Sequence, residues 1–382
     1  MIHKILIANR GEIAVRVIRA CKDLHIKNVA IYTKPDQDCL HVKIADEAYQ
    51  IGIDPIKGYL DAKRIVEVAK ACGADAIHPG YGFLSENYEF AKEVEDAGLV
   101  FIGPTADVIR KMGNKNIARY LMNKNGIPIV PGTEKLNNET IENIKLYAER
   151  IGYPVILKAA AGGGGRGMRV VECEEDIEKA FWSAESEAMS AFGDGTMYME
   201  KYILNPRHIE VQIIGDSHGN VLHIGERDCS MQRRHQKLIE ESPAILLDDD
   251  TRARLHETAI RAAKAIDYEG AGTFEFLVDK DLNFYFIEMN TRLQVEHCVS
   301  EMVSGLDIIE LMIKVAQGEA LPPQESITLK GHAIECRITA EDPNTFTPSP
   351  GKITKYVCPG GRNVRMDSHI YQDYSIPPYY DS

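Results

Sequence analysis

The chain carries a run of four glycines, residues 162–165, between two segments with the composition of strands, residues 153–159 and 168–171. Glycine has no Cβ, so successive backbone N–H groups in such a loop can close around a phosphate. A flexible linker is the alternative interpretation. Linkers, however, are rarely flanked by strands and basic side chains such as Lys158 and Arg166. We therefore interpret the loop as a lid over phosphate groups.

Two common phosphate-binding patterns are excluded for this loop. Residues 162–167 satisfy the spacing G-x-G-x-x-G, but the dinucleotide fingerprint requires a helix next, and here a strand pattern follows. The first predicted strand-to-helix turn, residues 9–12, also lacks the glycines of a dinucleotide site. The chain contains no G-x-x-x-x-G-K-[ST] sequence, so it is not a P-loop protein.

A charged stretch, residues 288–297, lies downstream of the glycine loop. If this stretch is extended, alternate side chains share one face. The face would then carry five polar or charged side chains, Glu288, Asn290, Arg292, Gln294 and Glu296. Such a face is unsuited to a hydrophobic core, so we predict a metal-binding and anion-binding surface.

A predicted hairpin just upstream points to the metal. Residues 273–278 and 283–288 are rich in aromatic and β-branched residues around an Asp-Lys-Asp turn, which places Glu275 opposite Glu288. Like charges about 5 Å apart on neighbouring strands are destabilising, so the pair needs a cation between them. Carboxylates together with substrate phosphates are the usual Mg²⁺ ligands, which indicates Mg·ATP. Two glutamates on a solvated sheet face remain the alternative.

Composition limits the class of protein. A chain of 382 residues with 44% hydrophobic and 26% charged residues is expected to form two or three globular domains. The N-terminus begins with a buried-strand pattern, and no apolar run is long enough to span a membrane, so a cytoplasmic protein without membrane association is expected. The eight cysteines form no C-x-x-C pair and are expected to be reduced.

The formal net charge of −13 disfavours a nucleic-acid partner, because affinity for nucleic acid depends on neutralisation of phosphates by Lys and Arg. The basic cluster at residues 232–237 is therefore assigned either to small anions or to a solvated loop.

Alternating strand and helix patterns over residues 1–110 predict a parallel sheet covered by helices. A single helix is expected over residues 107–124 and another over residues 304–317. Several antiparallel strands are expected within residues 206–300, and Pro322-Pro323 marks a boundary to a β-rich remainder.

Sequence motifs along the whole chain resemble those of the biotin carboxylase family within the ATP-grasp superfamily. The motifs are IANRGEIA at 7–14, IHPGYGFLSEN at 77–87, ERDCSMQRRHQK at 226–237, RLQVEH at 292–297 and ECRITAEDP at 335–343. The resemblance is to the biotin carboxylase subunit of acetyl-CoA carboxylase or of two-subunit pyruvate carboxylase.

The resemblance implies a mixed α/β and α+β fold in three parts. These are a pre-ATP-grasp domain with a parallel sheet over residues 1–110, an ATP-grasp core over residues 111–320 and a β-rich C-terminal domain over residues 321–382. A mobile lid is expected at about residues 130–205 of the core. Family members continue beyond the position of Ser382, so the C-terminal domain is expected to be incomplete and the sequence truncated.

The resemblance also implies the nucleotide and metal ligands. Lys115 and Lys158 would bind ATP phosphates, while Gly163, Gly164 and Gly165 would close over them beside Met168. The adenine hinge would comprise Glu200, Lys201 and Ile203, and the pocket would be completed by His208, Gln232 and His235. Glu275, Glu288 and Asn290 would hold Mg²⁺ or Mn²⁺.

The implied reaction is the Mg·ATP-driven carboxylation of biotin by bicarbonate through carboxyphosphate. Bicarbonate would lie against Lys237, Arg292, Gln294 and the Val295 backbone, with Glu296 as the general base. Arg337 would stabilise the biotin enolate, with Tyr81 and Gly82 near the biotin.

The chain has no Met-Lys-Met biotinylation motif, so biotin is expected on a biotin carboxyl carrier protein. A carboxyltransferase subunit would complete the reaction with acetyl-CoA, in fatty acid biosynthesis, or with pyruvate; the sequence does not choose between them. A homodimer is expected, with Arg16 as a candidate interface residue. Two departures from the family pattern are Ala160-Ala161 at the start of the lid and Cys298 where Pro is common.

Two competing hypotheses remain. Another ATP-grasp ligase that activates a carboxylate or bicarbonate would share the metal motif, but it would not need Arg337 or the basic cluster at residues 231–237. An inactive ATP-binding scaffold subunit would not need Glu296, Arg292 and Lys237 together.

Overall fold

The computed structural model describes residues 1–133, 135–159, 167–234 and 236–381. The chain forms two compact units. Unit 1 comprises residues 1–125, 208–275 and 288–382, and unit 2 comprises residues 126–207 and 276–287. None of the described helices combines the length and the apolar character that a membrane crossing requires.

The first part of unit 1 is a parallel sheet, as predicted. Its strands are β1 (Lys4–Ile7), β2 (Lys27–Thr33), β3 (Glu47–Gly52), β4 (Ala76–His78) and β5 (Val100–Phe101), in the order β3-β2-β1-β4-β5. The connecting helices are α1 (Gly11–Asp23), α2 (Leu40–Ile44), α3 (Ala62–Ala71) and α4 (Tyr88–Asp96). Strand β3 and helix α2 are absent from the sequence prediction.

The predicted helix over residues 107–124 is wrong. The structure has two helices, α5 (Ala106–Gly113) and α6 (Lys115–Lys124), separated by Asn114. Asn114 has an extended backbone, φ −93° and ψ 107°, and its side chain accepts hydrogen bonds from the backbone N–H of Asn116 and Ile117. Asparagine favours such a cap over a helix interior, and the new helix places Lys115 in its first turn.

Unit 2 packs two helices on a three-stranded antiparallel sheet. In chain order the elements are α7 (Ile141–Ile151), β6 (Val155–Ala159), β7 (Met168–Val171), α8 (Ile177–Phe192) and β8 (Met197–Lys201), with β6 central. The apolar faces of these elements form a core of their own, which includes Ile144, Leu157 and Phe181. The strands on both sides of the glycine loop were predicted, whereas helix α7 was not.

A six-stranded sheet, as expected from the antiparallel strand patterns, is formed mainly by residues of unit 1. The strands are β9 (Arg207–Gly215), β10 (Val221–Arg233), β11 (Gln236–Ser242), β12 (Gly270–Val278), β13 (Phe284–Asn290) and β14 (Ala333–Cys336), in the order β13-β12-β9-β10-β11-β14. Helix α9 (Asp249–Lys264) lies between β11 and β12 in the sequence. Buried residues of this sheet, including Ile214 and Leu222, share one core with Ile5 of the first sheet and Ile13 of α1.

The helix predicted over residues 304–317 is also wrong in its bounds. The structure has α10 (His297–Ser304) and α11 (Ile308–Ala316), separated at Gly305, which has a left-handed backbone with φ 73°. Glycine adopts this conformation without a Cβ penalty, so it ends α10 and allows the chain to turn. Two further strands, β15 (Gly351–Lys352) and β16 (Ser375–Ile376), are much shorter than the expected β-rich remainder.

Candidate active site

Strand β9 supplies a polar row to the site. His208, Glu210 and Gln212 alternate with Ile209 and Val211, so the three polar side chains share one face of the strand. Glu210 and Gln212 are fully buried. The sequence analysis named His208 but missed Glu210 and Gln212, although this polar alternation in an otherwise apolar strand was a usable signal.

Lys237, on β11, is the shared cation of the site. Its ammonium contacts the carboxylates of Glu210, Glu275 at 3.1 Å and Glu296 at 2.8 Å, and these four residues are called the Lys237 cluster. Burial lowers the pKa of Lys237, but the charges of Glu210, Glu296 and Glu275 outweigh that effect and raise it. Lys237 is therefore charged at neutral pH.

Glu275, on β12, accepts hydrogen bonds on both carboxylate oxygens. Oε1 accepts from Asn290 Nδ2 at 2.7 Å and Gln294 Nε2 at 3.0 Å. Oε2 lies 3.0 Å from His208 Nε2. Burial acts to raise the pKa of Glu275, but His208 and Lys237 hold it well below its usual range. Glu275 is thus ionised and able to accept a metal ion.

His208 lies between two buried carboxylates. Its Nε2 is 3.0 Å from an oxygen of Glu210 and 3.0 Å from one of Glu275. Burial lowers the pKa of this imidazole, yet the two carboxylates raise it to about 9. Its other ring nitrogen lies 3.4 Å from Gln232 Nε2, so these two predicted nucleotide ligands are neighbours in the structure.

Glu296 and Arg337 form a second link in the site. Arg337 Nη2 donates to Glu296 Oε2 at 3.0 Å, and its Nε donates to Glu240 Oε1 at 2.7 Å. Glu296 is 2% exposed and directly precedes helix α10. One carboxylate oxygen of Glu296 therefore faces Lys237 and the other faces Arg337, while Val295 lies half-buried beside it. The sequence analysis missed Glu240, which is fully buried.

The extended conformation predicted for residues 288–296 is wrong. Strand β13 ends at Asn290, and the chain then turns before α10. Arg292 consequently turns back: its Nη2 donates to Asn290 Oδ1 at 2.9 Å and its Nε to Glu86 Oε2 at 2.8 Å. Asn290, Gln294 and Glu296 reach the Lys237 cluster through this turn and not through strand alternation.

The three predicted metal ligands do not have equal environments. Asn290 touches Glu275, whereas the carboxylate of Glu288 is 3.2 Å from Lys115 Nζ. The side chains of Lys115 and Glu288 are 78% and 42% exposed, so this ion pair is open to exchange with other charges. The two carboxylates and the amide oxygen of Asn290 are hard donors of the type that Mg²⁺ binds.

The described residues also bring metal-binding side chains together in two groups, His208 with Glu210 and Glu275, and Cys229 with Glu210 and Glu296. In both groups Glu210 is the common member. The hydrogen bonds of His208 and the ion pairs of Lys237 account for the close approach of these groups without an ion.

Unit 2 holds the other predicted nucleotide residues. Lys158 Nζ lies 2.5 Å from Glu200 Oε2, and Lys158 pairs with Met168 across β6 and β7. Lys201 donates its ammonium to the carbonyls of Gly152 and Tyr153, at 2.7 and 2.9 Å. Ile203 is half-buried just after β8. The ammonium of Lys201 is thus engaged by its own unit, and its backbone N–H donates to the Pro131 carbonyl at 2.7 Å.

The remaining predicted residues are placed as follows. Tyr81 and Gly82 lie in the turn after β4, where the Tyr81 carbonyl accepts from Asn9 Nδ2 at 2.7 Å and Gly82 has φ 68°. Gly163, Gly164, Gly165 and His235 lie outside the described residues, so their predicted roles are not tested by the structure.

Three family models match successive parts of the chain. "Biotin carboxylase, N-terminal domain" matches residues 1–109, "Carbamoyl-phosphate synthase L chain, ATP binding domain" matches residues 114–324, and "Biotin carboxylase C-terminal domain" matches residues 335–382. A biotin carboxylase of Pseudomonas aeruginosa is 52% identical over 100% of this chain and 85% of the relative.

Solved structures give the same result. The biotin carboxylase complex with β-γ-ATP from Campylobacter jejuni is 66% identical, with a TM-score of 0.91, and the match covers 100% of this chain and 86% of that one. The biotin carboxylase domain dimer of Hydrogenobacter thermophilus 2-oxoglutarate carboxylase, in complex with MgADP, ADP and bicarbonate, is 52% identical with a TM-score of 0.89, covering 100% and 84%.

Proposed function

This chain belongs to the biotin carboxylase family, and from that premise we propose that the Lys237 cluster and its neighbours activate bicarbonate. The chain is an ATP-dependent ligase that carboxylates biotin with bicarbonate, using ATP and Mg²⁺. The single observation that carries the assignment of residues is the position of Lys237. Its ammonium joins Glu275, a proposed metal ligand, to Glu296, the proposed base, at 3.1 and 2.8 Å.

Glu275, Glu288 and Asn290 are the proposed ligands of Mg²⁺, or of Mn²⁺ in its place. Glu275 is ionised and is contacted by four donors, from Lys237, Asn290, Gln294 and His208. A bound divalent ion supplies neutralisation of the phosphate charge that develops during transfer. The residues of the chain supply the oxygen donors and the positioning.

Bicarbonate is proposed to lie against Lys237, Arg292, Gln294 and the Val295 backbone. A guanidinium fork matches a planar anion, and the lysine adds a second positive charge. Glu296 takes the proton of bicarbonate, and the bicarbonate oxygen attacks the γ-phosphorus as the bond to ADP breaks. The products of this step are carboxyphosphate and ADP.

Carboxyphosphate then breaks down to CO₂ and phosphate, and the phosphate takes the N1 proton of biotin. Arg337 stabilises the biotin enolate while N1 attacks CO₂. In the structure Arg337 donates to Glu296 and Glu240, so the enolate oxygen would replace a carboxylate that Arg337 already binds. Tyr81 and Gly82 are the proposed neighbours of biotin.

The proposed nucleotide ligands come from several parts of the chain. They are Lys115, Lys158, Gly163, Gly164, Gly165, Met168, Glu200, Lys201, Ile203, His208, Gln232 and His235. The lysines would bind the phosphates and the glycines would cover them. Water exclusion by such a lid protects carboxyphosphate from hydrolysis.

The larger assembly is proposed from the relatives. Biotin would be presented by a carrier protein and the carboxyl group passed on by a carboxyltransferase. A homodimer is proposed because a relative forms a dimer of biotin carboxylase domains. We also propose the three-part division at residues 1–110, 111–320 and 321–382.

The test is ATP hydrolysis by the 382-residue chain, measured with and without bicarbonate and then with free biotin. We expect hydrolysis that requires bicarbonate and that biotin stimulates. Glu296→Gln is expected to bind ATP as the wild type does but to lose turnover by about a hundredfold or more. Bicarbonate-dependent turnover at the wild-type rate in Glu296→Gln would remove Glu296 as the base, and ATP hydrolysis that needs no bicarbonate would contradict the bicarbonate site.

Glu226→Gln is a matched control. Glu226 is also a fully buried glutamate of unit 1, and its carboxylate is bound by Ala244 N–H, Arg252 and His256, none of which belongs to the Lys237 cluster. The control variant should keep bicarbonate-dependent turnover close to the wild-type value.

A further inference from the structure

Arg227, on β10, is the largest fully buried side chain of the described structure. No role has been assigned to it so far. Its two Nη atoms donate to five acceptors from different parts of unit 1. These are Gln212 Oε1 at 2.7 Å, Ser300 Oγ at 3.0 Å, Glu210 Oε2 at 3.2 Å, Thr273 Oγ1 at 3.1 Å and Gln294 Oε1 at 2.6 Å.

The contact with Gln294 determines how that amide is oriented. An arginine side chain has donors and no acceptor, so the group of Gln294 that faces Arg227 must be the amide oxygen. The amide nitrogen then points to the opposite side, where it donates to Glu275 Oε1 at 3.0 Å. Gln294 can therefore offer only N–H groups to a ligand beside Glu275 and Lys237. An anion that accepts hydrogen bonds suits this arrangement.

The contact with Glu210 acts on the lysine of the same site. Glu210 uses Oε2 for Arg227 and Oε1 for both His208 and Lys237. Arg227 thus binds one side-chain oxygen each of Gln294 and Glu210. The remaining polar atom of each of these side chains faces the proposed bicarbonate site. A planar guanidinium fork holds several acceptors in fixed directions, which an ammonium on a flexible stem does not.

We propose that Arg227 is a positioning residue that selects for bicarbonate by holding Gln294 in the orientation that donates to the anion. This inference rests on the proposed function, because it takes Gln294 to be a bicarbonate ligand. A purely structural arginine, which only compensates the charge of Glu210, would affect stability and would not affect one substrate more than the other.

Arg227→Lys is the first variant, because it keeps the charge and removes the fork. We expect the KM for bicarbonate to rise at least tenfold while the KM for ATP changes less than threefold. Arg252→Lys is the matched control. Arg252 binds the buried Glu226 at 2.9 Å and two backbone carbonyls of unit 1, so the same exchange should lower thermal stability without raising the KM for bicarbonate.

A double-mutant cycle that combines Arg227→Lys with Gln294→Ala tests whether Arg227 acts through Gln294. If Arg227 acts through Gln294, the double variant should raise the KM for bicarbonate no more than about twofold beyond Gln294→Ala alone. Fully multiplicative effects of the two substitutions would overturn the proposal. Equal increases in the KM for ATP and bicarbonate in Arg227→Lys, or an unchanged KM for bicarbonate, would overturn it as well.

Ser300→Ala covers the case in which Arg227→Lys does not fold. It removes one acceptor from Nη1 and leaves every proposed bicarbonate ligand in place, so we expect about a threefold higher KM for bicarbonate at an unchanged KM for ATP. Wild-type values for both would overturn the proposal.

The wild-type assay separates this test from the proposed function: bicarbonate-independent hydrolysis by the wild type refutes the bicarbonate site itself. If wild-type turnover depends on bicarbonate and Gln294→Ala raises the KM for bicarbonate while Arg227→Lys does not, only the inference is refuted.

Discussion

Two buried clusters of charged residues in unit 1 both contain glutamates but pair them in different ways. In the Glu226 cluster, formed by Glu226, Arg252 and His256, one carboxylate has two partners of its own, the guanidinium of Arg252 at 2.9 Å and the imidazole of His256 at 2.7 Å. In the Lys237 cluster one ammonium is shared by three carboxylates. A dedicated pair is satisfied within the protein and stabilises the fold. A shared cation can exchange one carboxylate for a substrate anion or release one to a metal ion, so sharing marks the reactive cluster.

The largest expected effect comes from Lys237→Met. Three buried carboxylates lose their common cation, and the bicarbonate site loses a positive charge, so we expect kcat for bicarbonate-dependent ATP hydrolysis to fall about a thousandfold. Lys314→Met, which removes a partly exposed lysine paired with Glu310 on α11, should leave kcat unchanged. A Lys237→Met enzyme with more than a tenth of wild-type kcat would show that the shared cation is not required.

Glu226→Gln tests whether the Glu226 cluster stabilises the fold without taking part in the reaction. Arg252 and His256 lose the charge of a fully buried partner, and breaking such a pair destabilises a protein by about 3 kcal/mol. Burial acts to raise the pKa of Glu226, but His256 and Arg252 lower it to about 2, so the charge is present throughout the neutral range. Thermal melting should show a clearly lower Tm, with the KM values unchanged. A wild-type Tm together with reduced turnover would reverse the roles assigned to the two clusters.

The pH dependence of stability offers a smaller test. Burial acts to lower the pKa of His208, but Glu210 and Glu275 raise it to about 9, above the value of about 6.5 in an unfolded chain. The protonated imidazole therefore contributes its full stabilisation below pH 6.5 or so, and this contribution is lost as the pH rises through about 9.

The loss amounts to roughly 3 kcal/mol at most, from a pKa difference of about 2.5. Thermal melting of the wild type and of His208→Gln across this pH range measures it, because other groups that titrate there are common to both proteins. Parallel pH profiles for the two proteins would contradict the assignment.

The smallest effect is expected in unit 2, where charges are paired more simply. Lys158 is 28% exposed on its side chain and binds Glu200 alone among its described ion pairs. Lys158→Gln removes one phosphate contact, so the KM for ATP should rise about tenfold at a nearly constant KM for bicarbonate. Lys179→Gln, an exposed lysine on α8, is the control and should leave both values unchanged. A larger rise in the KM for bicarbonate than in the KM for ATP would contradict the assignment of Lys158 to the ATP phosphates.

Local patterns predicted much of the fold. The parallel arrangement of the first sheet, though not its strand order, followed from the alternation of strands and helices, and the strands on both sides of the glycine loop followed from their composition. The errors occurred where a single side chain decides the course of the chain. Asn114 divides a predicted helix by capping the second half, and Gly305 ends α10 inside the segment 304–317 that was predicted as one helix.

The polar residues that β9 contributes to the site could all have been predicted from the sequence. The alternating polar residues of β9 mark Glu210 and Gln212 as well as His208, and the pattern was visible in the sequence. Arg227 gave no comparable signal, because a single arginine in a strand is equally compatible with a solvated face. Only the convergence of five acceptors on its two Nη atoms, from β9, β12, α10 and the turn before α10, shows that it is buried and bound.

The sequence by itself determined the family, the residue types of the reaction and the glycine-rich loop, because these reside in short motifs whose spacing is local. The tertiary structure alone decided which charges share a partner. Lys237 meets Glu210 and Glu296 across 27 and 59 positions of the chain, and Arg337 meets Glu296 across 41. Local patterns carry no information on such ion pairs, because these pairs depend on which strands become hydrogen-bonded neighbours in the folded sheet.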